Sequence, residues 1–512
     1  MLEQKLAQIA TKYPEKTAIV CDRSNITYEE LHAQVTGFSK GLSSLGIRPS
    51  DCIAVVLPNC TEFVVSFYAA AKLNAIFLPL NHLFKEEELS YYINDSNAQV
   101  IITDTTRADL CHQIISKSER EIELITVNAA NPSTTYFYDL ILPEKTETEP
   151  KDDHVSTGEN FLYQYSSGST GRPKRVGRTQ DNLDHEINNF TQTVKVTSAD
   201  NILCLVPMYH AHGLGNCLLA SIYNGATLVI LEQFRQQETT VEVPFIFRRL
   251  RVLELIEQEQ ITILPAVPYI FNTLAETPAD TQADLTSLRL CFSAGNFLAQ
   301  DIFERFRARF NISIKQLYGC TEAGSVAINL DEQTDETDGS VGRPIQNVEI
   351  KIIDDQGTQL PVGEIGEIVI KSKTLTSGYH NMPELNQKAF KDKAFLTGDL
   401  GKIDRSGRLY ITGRKKILID TGGRKVDPIE IEDVLITHSK IKEAVVVGVK
   451  GLFAGEIIKA VIVLQESQTC EAKEISAYCQ ARLAEFKVPR IIEFRDEIPK
   501  SPLGKILRKA LV

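Results

Sequence analysis

Short apolar runs separated by helix-length segments constrain the first hundred residues more than any other feature. Residues 51–57 (Asp51 to Leu57), 75–79 and 99–103 each read as a buried strand, the first closed by Pro58 and Asn59. Ahead of them, Thr27 and Glu30 make a capping-box pattern, and Leu31, Val35, Phe38 and Leu42 then recur at helical spacing. Gly46 stops that helix, and a second spans about residues 61 to 73. Strand–helix alternation of this kind predicts an α/β fold of layered subdomains with mainly parallel sheets.

At 512 residues the chain exceeds one ordinary core, so at least two domains are expected. The helical and strand pattern is interrupted at Gly413–Lys416. Beyond it Asp427, Pro428 and Glu430 open a helix, and 443–449 and 459–464 read as strands. The expected division is a large N-terminal domain over 1–412 and a small α+β C-terminal lid over 413–512. The net charge of -12 argues against a nucleic-acid or anionic-membrane partner. No run is long and apolar enough to span a bilayer, and the first residues lack a signal-peptide core. The ten cysteines include no C-x-x-C pair, which suits a reduced, cytoplasmic setting.

Between Tyr165 and Val176 lie Ser166, Ser167, Gly168, Ser169, Thr170, Gly171 and Lys174. Glycine permits close backbone approach, free amides and hydroxyls can face one anion, and the lysine adds a mobile charge. The G-x-x-x-x-G-K-[ST] spacing is absent and Pro173 precedes the lysine, so this is not a Walker A loop. On composition alone an ordinary flexible turn is the rival reading.

Further stretches gather polar groups on short loops. Pro207–Gly213 carries His210 and His212; a metal would need a third ligand that no nearby spacing offers. Gln316–Glu322 combines Tyr318, Gly319, Thr321 and Glu322, and Thr397–Asp399 sets a carboxylate on a tight turn. Gly413–Lys416, Thr421–Glu432 and Pro499–Lys505 follow. In this order and spacing, from about Glu29 to the C-terminus, the set resembles the adenylate-forming superfamily of acyl-CoA synthetases, adenylation domains and firefly luciferases.

That resemblance implies ATP and Mg²⁺ as cofactors. Ser166–Gly171 and Lys174 would hold the ATP phosphates, with Thr170 also near the metal. Tyr318, with Gly319 and Gly295 beside it, would take the adenine ring. Thr321 would contact the α-phosphate and Glu322 would hold Mg²⁺, a hard cation that prefers oxygen. Asp399 would accept from the ribose hydroxyls, with Arg414 reaching ribose and phosphates. Lys505 would bridge the acid and the α-phosphate as charge develops. Lys416 would be the hinge of a rotating lid, which brings Gly422 and Gly423 to a pantetheine tunnel for thiol transfer.

The acid pocket implied by the resemblance is lined by His210, His212, Asn216, Phe292, Gly295, Asn296 and Val326, with His210 gating entry. Amino-acid-activating members carry an Asp where this chain has Tyr209 and His210, and a buried substrate ammonium without it would be costly. A fatty, aryl or other simple carboxylic acid is therefore expected. Arg175 stands where the family usually has glycine, which predicts a more basic mouth to the phosphate site. CoA is the favoured acceptor; the phosphopantetheine of a separate carrier protein is the alternative. A luciferase-like oxygenase and a silent adenylate-binding module would share the motifs.

Overall fold

The structure is a computed structural model. It describes the whole chain except residues 1, 22–23, 85, 130–131, 142–158, 167–172, 232, 237–238, 241–242, 244, 332–338, 415–418, 422–424, 427, 451–455, 484–486 and 502–505. The chain divides into two compact units. The first comprises Met1–Lys351, Val369–Leu396 and Ile403–Tyr410; the second comprises Ile352–Ile368, Thr397–Lys402 and Ile411–Val512.

The first unit begins as its periodicity predicts. Thr27 caps the helix Tyr28–Ser44, with its side chain and that of Glu30 satisfying each other's backbone N–H groups. Leu31, Val35, Phe38 and Leu42 are all fully buried on one face of that helix. The strands Cys52–Val56, Ile76–Pro79 and Ala98–Thr103 pair in parallel, with the helix Thr61–Leu73 as a crossover. They are the centre of a seven-stranded sheet in which Leu162–Ser166 follows Ile76–Pro79 and pairs antiparallel with the edge strand Lys174–Arg178. A residue run apolar at every position needs cover on both faces, which a parallel sheet between helices supplies.

A second run of strands in the same unit has a parallel centre. Leu290–Ser293 lies between Ile263–Ala266 and Ile314–Cys320, and Asn201–Cys204 lies beyond Ile263–Ala266. Antiparallel pairing resumes at Gly324–Ile328. The loops at the carboxyl ends of these strands carry the motifs singled out above, the usual place for a ligand in an open α/β sheet.

The second unit carries a three-stranded sheet of Ile441–Lys450, Glu456–Leu464 and Ile491–Phe494. The helices Pro428–Ile436 and Ala472–Gln480 cover it, burying Ile431, Leu435, Ile475 and Cys479 against Val446, Ile458 and Ile462. Arg508 fastens the chain end here by donating to Glu432 Oε2 at 2.9 Å and to the Val446 carbonyl at 2.7 Å. No helix among the described residues is long and apolar enough to cross a membrane.

Candidate active site

The hairpin that holds the glycine-rich segment sets Ser166 opposite Lys174. Ser167, Gly168, Ser169, Thr170 and Gly171 lie outside the described residues. Strand alternation then sends the two basic neighbours to opposite faces. Lys174 Nζ sits 4.7 Å from the centre of the Tyr379 ring. Arg175 turns inward, 6% exposed, with its guanidinium 4.7 Å from the Tyr163 ring centre and 3.6 Å from Asp95. The expected basic mouth is thus not formed by Arg175: its charge is paired with Asp95, on the helix Glu86–Ser96.

Tyr379 reaches Lys174 because residues 374–380 run along this strand. Tyr379 bridges Val176, and the His380 N–H donates to the Arg175 carbonyl at 3.0 Å. The Tyr379 hydroxyl donates to Glu322 Oε1 at 2.9 Å. Burial, and after it the negative charge of Glu322, pushes the Tyr379 phenol well above its ordinary range, so it stays a donor. Glu322 is itself buried in the turn after the strand Ile314–Cys320, and its carbonyl accepts the Thr376 N–H at 2.9 Å. Among the described residues its carboxylate has no ion-pair partner. A buried carboxylate held by one hydroxyl fits a hard divalent cation such as Mg²⁺. Tyr318 is half-buried near the end of that strand, and Gly319 allows close backbone approach, since a Cβ there would lie 2.5 Å from the Gly324 carbonyl oxygen.

The histidine motif follows the strand Asn201–Cys204. His210 precedes a single helical turn, Ala211–Gly213, that widens into the π-helix Leu214–Leu219, a distortion often found beside functional sites. His210 Nε2 is buried with no hydrogen-bond partner among the described residues, and burial pushes its imidazole down to about 4. His212 is also pushed down to about 4, by burial first. Its Nε2 lies 3.1 Å from the Ala266 carbonyl, its Nδ1 lies 2.9 Å from Asn216 Nδ2, and its ring centre is 5.8 Å from that of Phe292. The result is a wall of two neutral imidazoles and an aromatic ring. Val326 is fully buried in the strand Gly324–Ile328, while Gly295 and Asn296 lie exposed on the turn after Leu290–Ser293.

In the second unit Asp399, 4% exposed, pairs with Arg414 through Nε at 2.6 Å. The Asp399 N–H donates to Thr397 Oγ1 at 3.0 Å, and Gly398 takes φ 72°, a conformation that favours glycine. Lys416, Gly422, Gly423 and Lys505 lie outside the described residues. Four residues that join these groups carry no sequence signal of their own: Arg178, Glu186, Ser325 and Tyr379. Each makes a contact far along the chain: Arg178 with Thr374, Glu186 with Ser325, and Tyr379 with Glu322.

The AMP-binding enzyme family profile matches residues 6–380, and the AMP-binding enzyme C-terminal domain matches residues 430–505. The chain belongs to the AMP-binding enzyme family. This AMP-binding enzyme is 31% identical over 512 residues to an oxalate–CoA ligase of Arabidopsis thaliana, covering 98% of this chain and 96% of the relative. It is 32% identical over 514 residues to the long-chain-fatty-acid–CoA ligase FadD13 of Mycobacterium tuberculosis, covering 99% and 97%. Among solved structures, ATP-bound MatB from Rhodopseudomonas palustris superposes with a TM-score of 0.86 at 27% identity, covering 100% of this chain and 98% of that one. A benzoate CoA ligase from Burkholderia xenovorans gives 0.83 at 26% identity, covering 100% and 99%. The AMP-binding enzyme therefore has the expected mixed α/β architecture, a large N-terminal part and a small C-terminal one.

Proposed function

We propose that this AMP-binding enzyme is an AMP-forming acid–thiol ligase that joins a simple carboxylic acid to CoA. A carboxylate oxygen attacks the α-phosphorus of ATP, pyrophosphate leaves, and the thiol then attacks the acyl-AMP carbonyl with loss of AMP. Such chemistry needs positioning and charge neutralisation more than covalent help. The observation that carries the reading is the buried Glu322 carboxylate, held by Tyr379, whose ring also receives Lys174. Glu322 and Thr170 would hold Mg²⁺, which supplies positive charge at the phosphates. Tyr379 keeps the Glu322 carboxylate in place, and Lys174 adds a cation that the aromatic ring restrains.

His210, His212, Asn216 and Phe292 would line the acid pocket. Two imidazoles held neutral give no cation for a second carboxylate and no anion for an α-ammonium, which favours an acid whose remainder is uncharged. Asp399 and Arg414 would serve the ribose, and Lys505 the acid and α-phosphate. A lid over 413–512, hinged near Lys416, would bring Gly422 and Gly423 to the thiol. CoA is the acceptor named for the oxalate and long-chain-fatty-acid relatives. All ten cysteines are free, in keeping with a cytoplasmic enzyme.

The test is acid-dependent ATP–pyrophosphate exchange across fatty, aryl, dicarboxylic and amino acids, followed by AMP release with CoA added. Exchange with one uncharged-tail acid class, accelerated to turnover by CoA, is the expected result. Exchange without CoA turnover would move the acceptor to a carrier protein. No exchange with any acid would sink the ligase reading.

A further inference from the structure

Four buried residues of the first unit, Arg178, Glu186, Ser325 and Asn216, form one polar chain that links the Glu322 turn to His212. Arg178 and Glu186 are 2% and 4% exposed, and Arg178 Nη1 lies 2.6 Å from Glu186 Oε2. Burying two charges costs desolvation on both, so such a pair is weak evidence of net stability and better read as a geometric constraint. Its outer contacts fit that reading. Arg178 Nη2 donates to the Thr374 carbonyl at 3.1 Å, at the start of the segment that carries Tyr379. Glu186 Oε1 accepts the Ser325 N–H at 3.1 Å, three residues beyond Glu322. The pair therefore grips both segments whose side chains meet at the Glu322–Tyr379 hydrogen bond.

From Ser325 the chain continues inward. Ser325 Oγ donates to Asn216 Oδ1 at 2.9 Å, Asn216 Nδ2 lies 2.9 Å from His212 Nδ1, and His212 Nε2 lies 3.1 Å from the Ala266 carbonyl. Each polarity forces the next. A carbonyl only accepts, so Nε2 of the neutral ring carries the proton and Nδ1 must accept. The Asn216 amide nitrogen then has to face His212, which leaves its oxygen for the Ser325 hydroxyl. Two glycines leave room for the Glu186 carboxylate: a Cβ at Gly324 would lie 2.0 Å from Glu186 Cδ, and one at Gly215 3.0 Å from Oε1.

We propose that Ser325 and Asn216 are positioning residues that carry the fixed orientation of the Arg178–Glu186 pair to the Nδ1 side of His212, whose Nε2–H tautomer the Ala266 carbonyl sets, and so fix the acid-facing wall. The same pair holds the Glu322 turn, so acid wall and metal-side turn share one anchor. The role in acid recognition rests on the ligase reading above; the tautomer does not.

The experiment has a spectroscopic arm and a kinetic arm. In ¹⁵N-labelled protein at pH 7, multiple-bond ¹H–¹⁵N correlations report the His212 tautomer, with the resonance assigned by its loss in His212→Gln. The wild-type ring is expected as the Nε2–H form. Ser325→Ala removes only the hydroxyl and leaves the backbone N–H on Glu186; His212 should stay Nε2–H, and its Nδ1 resonance should move as the Asn216 amide loses its anchor. The substitution should also raise KM for the acid about fivefold, the scale of one lost buried hydrogen bond, with KM for ATP unchanged. An Nδ1–H form in the wild type, an unmoved His212 Nδ1 resonance in Ser325→Ala, or equal rises in both KM values would each overturn the proposal. A moved Nδ1 resonance with an unchanged acid KM would overturn the recognition role. Absence of pyrophosphate exchange in the wild type would be a failure of the ligase reading, visible separately from the tautomer.

Discussion

The Tyr379 hydroxyl and the Glu322 carboxylate, 57 residues apart in sequence, meet at 2.9 Å with both side chains buried. The contact gives the carboxylate a donor while leaving its remaining lone pairs for a cation. It also ties Lys174 to the same point through the aromatic ring.

Replacing Tyr379 by Phe keeps the ring under Lys174 and removes the hydroxyl. The buried Glu322 oxygen then loses its donor, a loss of about 1–3 kcal/mol. A several-fold rise in the Mg²⁺ concentration for half-maximal adenylation is expected, together with a lower melting temperature. Magnesium titrations on both proteins check it, and identical curves would mean that the hydroxyl does not act on the metal side.

Glu322→Gln keeps an acceptor for Tyr379 but removes the charge. Adenylation should fall by about a hundredfold or more, the scale of lost electrostatic stabilisation at a reacting centre, while thermal stability changes little. Pyrophosphate exchange beside a melting curve separates the two effects.

His210 and His212 predict a pH dependence of stability. Burial pushes both down from an ordinary 6.5 to about 4. Between those values the unfolded chain binds protons that the folded chain refuses, so stability is full above about 6.5 and is lost as pH falls toward 4. By the low end of that window each has cost roughly 3 kcal/mol of stability. Denaturant midpoints from pH 7 to 4.5 should fall steeply in the wild type and less steeply in His210→Asn. Parallel slopes would show that His210 is not the titrating group.

Arg178→Met leaves the Glu186 charge buried and unpaired, which should cost about 3–5 kcal/mol. Adding Glu186→Gln removes that charge and should recover part of the loss. Urea unfolding of the single and double variants decides this, and additive losses would show that the two residues are not coupled. Gly324→Ala should destabilise by a related route. Its Cβ would meet the Glu186 carboxylate, and the backbone there holds φ 71°, which side chains rarely adopt.

Local periodicity was enough to determine the framework: the Thr27–Glu30 capping box, the helix Thr61–Leu73 and the strands flanking it come from interactions within a few residues. The ordered motifs identified the family, because loops such as Gln316–Glu322 hold their reactive groups in a short span. Partner choice was different. Arg178 meets Thr374 across 196 residues, and Glu186 meets Ser325 across 139. No periodicity encodes such meetings; sheet order and the packing of crossing segments create them. Arg175 makes the same point in reverse. The sequence put a charge beside the glycine-rich segment, but strand alternation turned it inward to Asp95 and Tyr163, where a buried guanidinium needs its partners. Sequence alone determined which chemical groups the chain carries and which local elements hold them. Only the tertiary structure decided which groups are buried together, because desolvation and pairing depend on neighbours that the fold brings from elsewhere in the chain.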